Sequence, residues 1–198
     1  MNAELDGKPS AGDVLGRLSA ALGDAGTRKG PPPVERWNPP FCGDLDMRIA
    51  QDGTWFYMGT PIGRHALVKL FASVLRKDPE RYVLVTPVER VGIAVEDVPF
   101  LAVEMAVDGD GPERSVAFRT NVDDLVEVGA DHPMRFDADP NGGVKPYVRV
   151  RGELWARVTR ALTFDLVELG EDRTVDGTAG FGVSIRGAFY PIPGGTGA

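Results

Sequence analysis

The chain has 198 residues, with 29 acidic and 22 basic side chains and a formal net charge of −7. Nucleic-acid binders and polybasic membrane anchors need an excess of Lys and Arg, so this acidic balance disfavours both classes. The apolar share of 42% excludes wholesale disorder, and the single cysteine, Cys42, excludes an intrachain disulfide and indicates a reducing compartment.

Targeting and membrane segments are not apparent. The first residues, MNAELDGKPSAGD, lack the apolar core of a secretory signal. No stretch approaches the roughly 18 apolar residues that span a bilayer. We therefore expect a cytoplasmic protein that contacts neither a membrane nor a nucleic-acid polymer.

An N-terminal helix and linker are predicted over residues 1–35. Asp13 is placed to cap a short helix that ends near Leu22. The apolar residues of this segment recur at helical spacing, at Val14, Leu15, Leu18, Ala21 and Leu22. Residues 26–33 (GTRKGPPP) predict an extended linker, because proline lacks the backbone donor that helices and sheets need.

The folded body begins near Arg36. Residues 46–50 and 55–58 predict two strands joined by a tight turn at Gln51-Asp52-Gly53. A helix is predicted over residues 64–76, because apolar side chains share one face there. These side chains are Leu67, Leu70, Phe71, Val74 and Leu75.

Strand signals dominate the next part of the chain. Short apolar or alternating runs are separated by turn residues, and a helical period is absent. The predicted strands are residues 82–86, 91–95, 98–107, 115–120 and 123–128.

The first pattern then returns, which indicates an internal duplication. Met134-Arg135-Phe136 follows Met47-Arg48-Ile49 by 87 residues, and a turn, a strand over 145–151 and a helix over 153–169 are predicted after it. At the same offset Leu67, Phe71, Val74 and Leu75 correspond to Leu154, Val158, Ala161 and Leu162.

The duplication predicts an α+β protein of two lobes, each an antiparallel sheet with a packed helix. We place the lobes at residues 36–86 and 87–198, with the boundary near Pro87. The turn DGDGP at residues 108–112 is the rival break point. A crevice between two such lobes is a common place for a ligand.

One predicted strand carries an unusual basic face. Side chains alternate along a strand, so Lys145, Tyr147, Arg149 and Arg151 share one side. One interpretation is the solvated face of an antiparallel sheet. The other is an anion site, because guanidinium and ammonium groups grip phosphate or carboxylate and a tyrosine ring stacks on a base.

The segment RWNPPFCGDLDMR, residues 36–48, concentrates aromatic and charged side chains. Trp55 and Tyr57 follow on one face of the next strand. A packed corner of the core is one interpretation. The alternative makes Trp37, Arg48 and these rings part of a pocket wall.

Catalytic and metal motifs are weak. Cys42 could act with His65 or His132, but Asp44 nearby would repel the reactive thiolate. CxxC and HExxH motifs are absent, and residues 137–142 (DADPNG) resemble a calcium loop whose twelfth position is Val148 instead of glutamate. A hairpin turn explains those residues better, and we expect no metal and no cofactor.

The chain resembles a known family over residues 36 to about 193. The long segment RWNPPFCGDLDMRIAQDGTWFYMGTPIGR carries the resemblance, and YVLVTPVE, VEDVPF, FRTNV and KPYVRVRG continue it. The family is the proteobacterial domain of unknown function twelve-eighty-five (DUF1285). The resemblance implies a duplicated core, a second half superficially like a pleckstrin-homology domain, a nucleotide-like ligand between the halves, and a signalling role connected with oxidative stress.

We therefore predict a non-enzymatic module that senses a nucleotide or another small anion between the lobes. In this hypothesis the arginines hold phosphate and an aromatic ring stacks on a base. The predicted ligand-binding residues are Trp37, Arg48, Trp55, Tyr57, Arg64, Lys145, Tyr147, Arg149 and Arg151. The alternatives are a protein-interaction adaptor that uses the N-terminal helix and a sheet edge, or an enzyme that uses Cys42 or an aspartate.

Overall fold

The computed structural model describes residues 32–175 and 178–194. The predicted N-terminal helix and most of the linker lie outside these residues. The described chain divides into two compact units, the first with residues 32–48 and 55–94 and the second with residues 49–54 and 95–194. In these two ranges no helix has the length and apolar character needed to cross a membrane.

The first unit is a six-stranded sheet with one α-helix. A short 3-10 turn at Val34–Arg36 precedes it. Its elements in chain order are β1 (Phe41–Ile49), β2 (Trp55–Tyr57), β3 (Thr60–Pro61), α1 (His65–Ser73), β4 (Leu75–Lys77), β5 (Tyr82–Val85) and β6 (Arg90–Val95). The strands lie in the order β3-β2-β1-β6-β5-β4.

Helix α1 is shorter than the predicted helix over residues 64–76. It ends at Ser73, and β4 begins at Leu75. Leu75 pairs with Leu84 in the β4–β5 ladder, and the amide of Val85 donates to the carbonyl of Val74. Val74 and Leu75 are fully buried, as a helix stripe would also require, so strand pairing overrides the helical spacing here.

The core of the first unit lies between α1 and the sheet. Trp55 of β2 and Phe71 of α1 are both buried, and their rings stack with centroids 6.1 Å apart. Fully buried aliphatic side chains from the strands complete this core, among them Leu75, Val83, Leu84 and Val85.

The second unit contains a six-stranded sheet, a helix and a separate three-stranded sheet. The larger sheet has the order β10-β11-β12-β7-β8-β9, and the smaller one has the order β13-β14-β15. The elements are β7 (Phe100–Asp108), β8 (Ser115–Thr120), β9 (Leu125–Glu127), β10 (Met134–Ala138), β11 (Val144–Arg151), β12 (Leu154–Val158), α2 (Arg160–Glu168), β13 (Glu171–Val175), β14 (Thr178–Ile185) and β15 (Ala188–Pro191).

The predicted helix over residues 153–169 is wrong in its first third. Leu154, Ala156 and Val158 are buried while the residues between them are less so, which is the period of a strand. β12 therefore occupies residues 154–158, and α2 starts at Arg160 after an extended N-cap at Thr159. Leu154 and Val158 fit both a helical and a strand period. Pairing of β12 with β7 and β11 selects the strand.

A duplicated core is confirmed by the strand orders. Each large sheet consists of two three-stranded meanders, with the first and last of its six strands adjacent at the centre. In the second unit those central strands run parallel, with Ala156 opposite Phe100. In the β1–β6 pair, the amide of Arg90 donates to the carbonyl of Pro40 at one end and the amide of Glu96 donates to the carbonyl of Ile49 at the other. The two strands therefore advance in the same direction and are also parallel.

The offset of the duplication differs from the predicted 87 residues. Matching β1 with β7 brings Phe41 onto Phe100, an offset of 59 residues. The helix lies between the two meanders in the first unit and after both in the second. Six strands of the second unit therefore precede its helix.

Candidate functional site

The basic face predicted on β11 is present at Lys145, Tyr147 and Arg149. Pro146 and Val148 are buried on the opposite side of the strand, and Tyr147 is itself buried on the basic side. Tyr147 lies opposite Arg135 of β10 and opposite Arg157 of β12. Cross-strand partners share one side of a sheet, so these two arginines join the face. Asp137 of β10 lies opposite Lys145 and is on the same side, where its Oδ2 lies 3.3 Å from Arg135 Nε.

Arg151 does not share this face. Arg149 lies opposite Trp155, whereas Arg151 lies opposite Leu154, so a bulge interrupts the alternation between them. Arg151 therefore points to the side of the buried Leu154. There its Nη1 bonds Asp124 Oδ2 at 2.5 Å and its guanidinium lies 5.1 Å from the centroid of the Phe100 ring.

We define the arginine–aromatic face as six side chains of β10, β11 and β12. They are Arg135, Lys145, Tyr147, Arg149, Trp155 and Arg157. At the centre of this face, the guanidinium of Arg135 lies 4.8 Å from the ring centroid of Tyr147 and 4.4 Å from that of Trp155. Sequence reasoning missed Trp155 and Arg157 because their segment was predicted as a helix; the alternation of Leu154, Ala156 and Val158 was the available signal.

A hydrogen-bond network beneath the face holds the Tyr147 ring. The Tyr147 hydroxyl lies 3.1 and 3.3 Å from the two carboxylate oxygens of Asp97 and donates to this group. Arg157 Nη1 lies 3.3 Å from the same carboxylate, and Arg157 Nη2 donates to the carbonyl of Gln51 at 2.6 Å. The amide of Gln51 donates to Glu96 at 3.0 Å. Tyr147 and Arg157 are therefore fixed in place by residues distant in the chain.

The pKa of Tyr147 makes this network testable. Burial raises this pKa to about 12, and the Asp97 carboxylate adds to the rise by opposing a phenolate. An unfolded tyrosine titrates near pH 10, so the contribution to stability is complete below about pH 10 and is lost as the pH rises towards 12. In urea unfolding between pH 9 and 11.5, Tyr147→Phe should lose less stability with rising pH than the wild type. If the free energy of unfolding falls equally with pH in the two proteins, the Tyr147 hydroxyl is not held in this network.

The two outer cations of the face have protein partners. Lys145 Nζ lies 3.3 Å from Asp139 Oδ2, and Arg149 donates to the carbonyl of Asp131 at 3.2 and 3.3 Å. The Arg149–Glu153 pair is longer, at 3.9 Å. Because an ammonium has three donors and a guanidinium five, these contacts leave donors for a ligand.

The five first-unit residues predicted to bind the ligand are spread over several elements. Trp55 is corrected to a core residue, because it is only 1% exposed and stacks on Phe71. Trp37 follows the 3-10 turn, is half-buried, and its carbonyl accepts a bond from Arg76 Nη1 at 2.6 Å.

The other three lie nearer the surface. The guanidinium of Arg48 lies 4.3 Å from the ring centroid of Phe56. Tyr57 is half-buried at the end of β2, and Arg64 is an exposed residue at the N-cap of α1.

The segment that resembles a calcium loop is the turn of the β10–β11 hairpin. The amide of Gly142 donates to the carbonyl of Asp139, and the amide of Asn141 donates to the Asp139 carboxylate. This last bond, together with Lys145, lowers the pKa of Asp139. Across residues 32–175 and 178–194, no group of three or more His, Cys, Asp and Glu side chains could hold a metal ion.

Two family models match the chain and divide it between them. The model described as "Domain of unknown function (DUF1285), N-terminal domain" matches residues 32–98. The model described as "Protein of unknown function (DUF1285), C-terminal domain" matches residues 99–192. The chain belongs to the DUF1285 family. The family resemblance stated from the sequence is thereby confirmed.

Solved structures of DUF1285 proteins are similar to the chain. A DUF1285 family protein from Silicibacter pomeroyi DSS-3 has 48% identity and a TM-score of 0.77, with 87% of this chain and 93% of that chain covered. A second, from Shewanella baltica OS155, has 28% identity and a TM-score of 0.49, covering 63% of this chain and 91% of that chain. No curated protein matches.

Proposed function

We propose that this DUF1285 protein is a non-enzymatic module that binds a small, nucleotide-like anion on the arginine–aromatic face. The position of Arg135 over the rings of Tyr147 and Trp155 carries the proposal. Tyr147 is only 4% exposed beneath Arg135, so the base stacks on the exposed Arg135 guanidinium and on the half-buried Trp155 ring. Lys145 and Arg149 supply positive charge beside that surface.

The spacing of the strand supports this ligand class. Side chains two positions apart on a strand lie about 7 Å from each other. Lys145 and Arg149 therefore stand on opposite sides of Tyr147, each within a nucleotide's length of the stacking surface. Arg149 offers a forked donor to phosphate, and Lys145 offers a mobile point charge.

The composition of the face favours binding over catalysis. Its six side chains include no Ser, Thr, Cys or His. Lys145 and Tyr147, which could serve as nucleophile or general base, are paired with the carboxylates of Asp139 and Asp97. The supporting network holds its rings in place before a ligand arrives, which reduces the entropy cost of binding. A module that binds a ligand without converting it can act as a sensor. The proposed role is therefore in bacterial signal transduction or stress response.

A thermal and chemical unfolding screen with nucleoside mono-, di- and triphosphates tests the proposal. A ligand at 100 times its dissociation constant should stabilise the wild type by about 2.7 kcal/mol. Arg149→Ala and Arg135→Ala should lose most of this stabilisation. In a separate titration, the base should quench the tryptophan fluorescence of the wild type more strongly than that of Trp155→Phe. The control is Arg186→Ala, which removes an exposed arginine that pairs with Glu127 at 2.7 Å and lies outside the face.

Two outcomes would overturn the proposal. One is that no nucleotide stabilises the wild type. The other is that nucleotides stabilise Arg149→Ala and Arg135→Ala as much as they stabilise Arg186→Ala. Circular dichroism of each variant without ligand shows whether a lost response reflects binding or folding.

A further inference from the structure

A shallow cleft of about 400 Å³ lies in the first unit. It is lined by Phe41, Asp78, Pro79, Glu80, Arg81 and Arg90. These residues come from the start of β1, the β4–β5 turn and the start of β6. The cleft belongs to a different unit from the arginine–aromatic face, and none of its residues was predicted to bind a ligand.

One carboxylate at this cleft serves two guanidinium groups. Asp78 accepts from Arg76 Nε at 2.7 Å through one oxygen and from Arg90 Nη1 at 2.9 Å through the other. The remaining Arg76 bonds go to the uncharged carbonyls of Val34 and Trp37 at 2.8 and 2.6 Å. The three ionic side chains therefore carry one positive charge in excess.

This excess charge lies in a poorly solvated place. The side chains of Arg76, Asp78 and Arg90 are 9%, 18% and 25% exposed. The Nε of Arg90 is buried and has no acceptor among the residues that the structure describes. A charge removed from water without a counter-charge is costly, so an anion in the cleft is favoured.

An aromatic surface adjoins the charge. The guanidinium of Arg81 lies 4.6 Å from the ring centroid of Phe41, and this ring remains partly exposed. The ion pair of Arg81 with the exposed Asp44 is long, at 3.6 Å. An arginine stacked on a ring directs its edge donors in one plane, which suits a carboxylate.

We infer that this cleft binds a small aromatic monocarboxylic acid. The carboxylate pairs with Arg81 and neutralises the excess charge beside Arg90, and the ring of the ligand packs on Phe41 and Pro79. Glu80 and Arg81 also line the cleft, so Arg76, Arg81 and Arg90 face Asp78 and Glu80 with one positive charge in excess. One carboxylate neutralises that charge, whereas a dianion exceeds it. This preference for one negative charge distinguishes the cleft from a nucleotide site.

Phenylacetate and its neutral analogue phenylacetamide are the test ligands, with the full chain followed by amide chemical-shift titration. Phenylacetate should shift the amides of residues 41, 80, 81 and 90 in a saturable way, and phenylacetamide should bind at least tenfold more weakly. Arg81→Gln should weaken phenylacetate binding at least fivefold. This variant is expected to fold because Arg81 is exposed and loses only the long Asp44 pair and its contact with the partly exposed Phe41 ring.

Arg186→Gln and Arg149→Ala are the controls, and both should bind phenylacetate as the wild type does. If Arg149→Ala still binds phenylacetate, the cleft acts independently of the arginine–aromatic face. The two proposals can then be overturned separately. The inference is overturned if phenylacetate produces no saturable shift at these residues. It is also overturned if phenylacetamide binds equally well or if Arg81→Gln leaves the affinity unchanged.

Discussion

Trp55→Ala is expected to lower the free energy of unfolding by about 3–5 kcal/mol, the usual cost of removing a large buried aromatic side chain. Trp55 is 1% exposed, and its ring stacks on Phe71 with an interplanar angle of 16°. Phe71 belongs to α1 and Trp55 to β2, so the truncation removes contact between the helix and the sheet of the first unit. Equilibrium urea unfolding, followed by circular dichroism, measures the loss.

Trp55→Phe separates packing from the indole N–H. The Trp55 Nε1 is buried without an acceptor in the described part of the chain. A buried, unpaired donor costs about 1–3 kcal/mol, so its removal offsets part of the volume lost on going to phenylalanine. We expect Trp55→Phe to lose less than half as much stability as Trp55→Ala.

Trp155→Ala is the matched comparison on the arginine–aromatic face. Trp155 is half-buried, so its truncation should cost less stability than that of Trp55. Nucleotide binding should fall in Trp155→Ala. The placement of Trp55 in the core would be contradicted if Trp55→Ala kept full stability but failed to bind nucleotide. Trp55 would then belong to the ligand site.

Asp78→Ala is the second substitution with a large expected effect, a loss of about 3–5 kcal/mol. It leaves two guanidinium groups, those of Arg76 and Arg90, without their shared carboxylate. Arg76 cannot easily move to water, because its other donors hold the carbonyls of Val34 and Trp37. The folded variant therefore contains two poorly solvated charges without a counter-charge. Urea unfolding measures the resulting loss in the free energy of unfolding.

Asp44→Ala provides the control for Asp78→Ala. Asp44 also pairs with an arginine, Arg81, but at 3.6 Å and with a side chain that is 71% exposed. Exposed ion pairs contribute about 0–1 kcal/mol, so this variant should be nearly as stable as the wild type. Equal, small losses in both variants would show that Asp78 is no more important to the fold than a surface carboxylate.

Strands with clear turn signals could be predicted from the sequence. Residues 115–120 were predicted as a strand and form β8 with those bounds. β5 and β6 lie within one residue of their predicted ends. In each, an alternating or apolar run stops at turn residues, and both signals depend only on near neighbours.

The ends of the helices could not be predicted in the same way. Val74 and Leu75 satisfy the helical stripe of α1, yet Leu75 pairs with Leu84 in a ladder. Leu154 and Val158 likewise satisfy a helical spacing and a strand alternation. Where an apolar pattern fits both periods, the choice depends on which strands are available for pairing.

The candidate site was predicted in part. Local alternation correctly placed Lys145, Tyr147 and Arg149 on one side of β11. The bulge that turns Arg151 away arises from its pairing with β12, and the partner of the Tyr147 hydroxyl, Asp97, lies 50 residues earlier in the chain.

Some features of this DUF1285 protein are set by local sequence, and others are set by tertiary contacts. The acidic charge, the strands and the hairpin turns follow from residues within a few positions of one another, because backbone preference and side-chain alternation act over that range. The strand order, the burial of Trp55 and the sharing of Asp78 by two arginines were decided only by tertiary structure. Arg76 contacts Trp37, 39 residues away, and such contacts form only after the sheet has brought distant segments together.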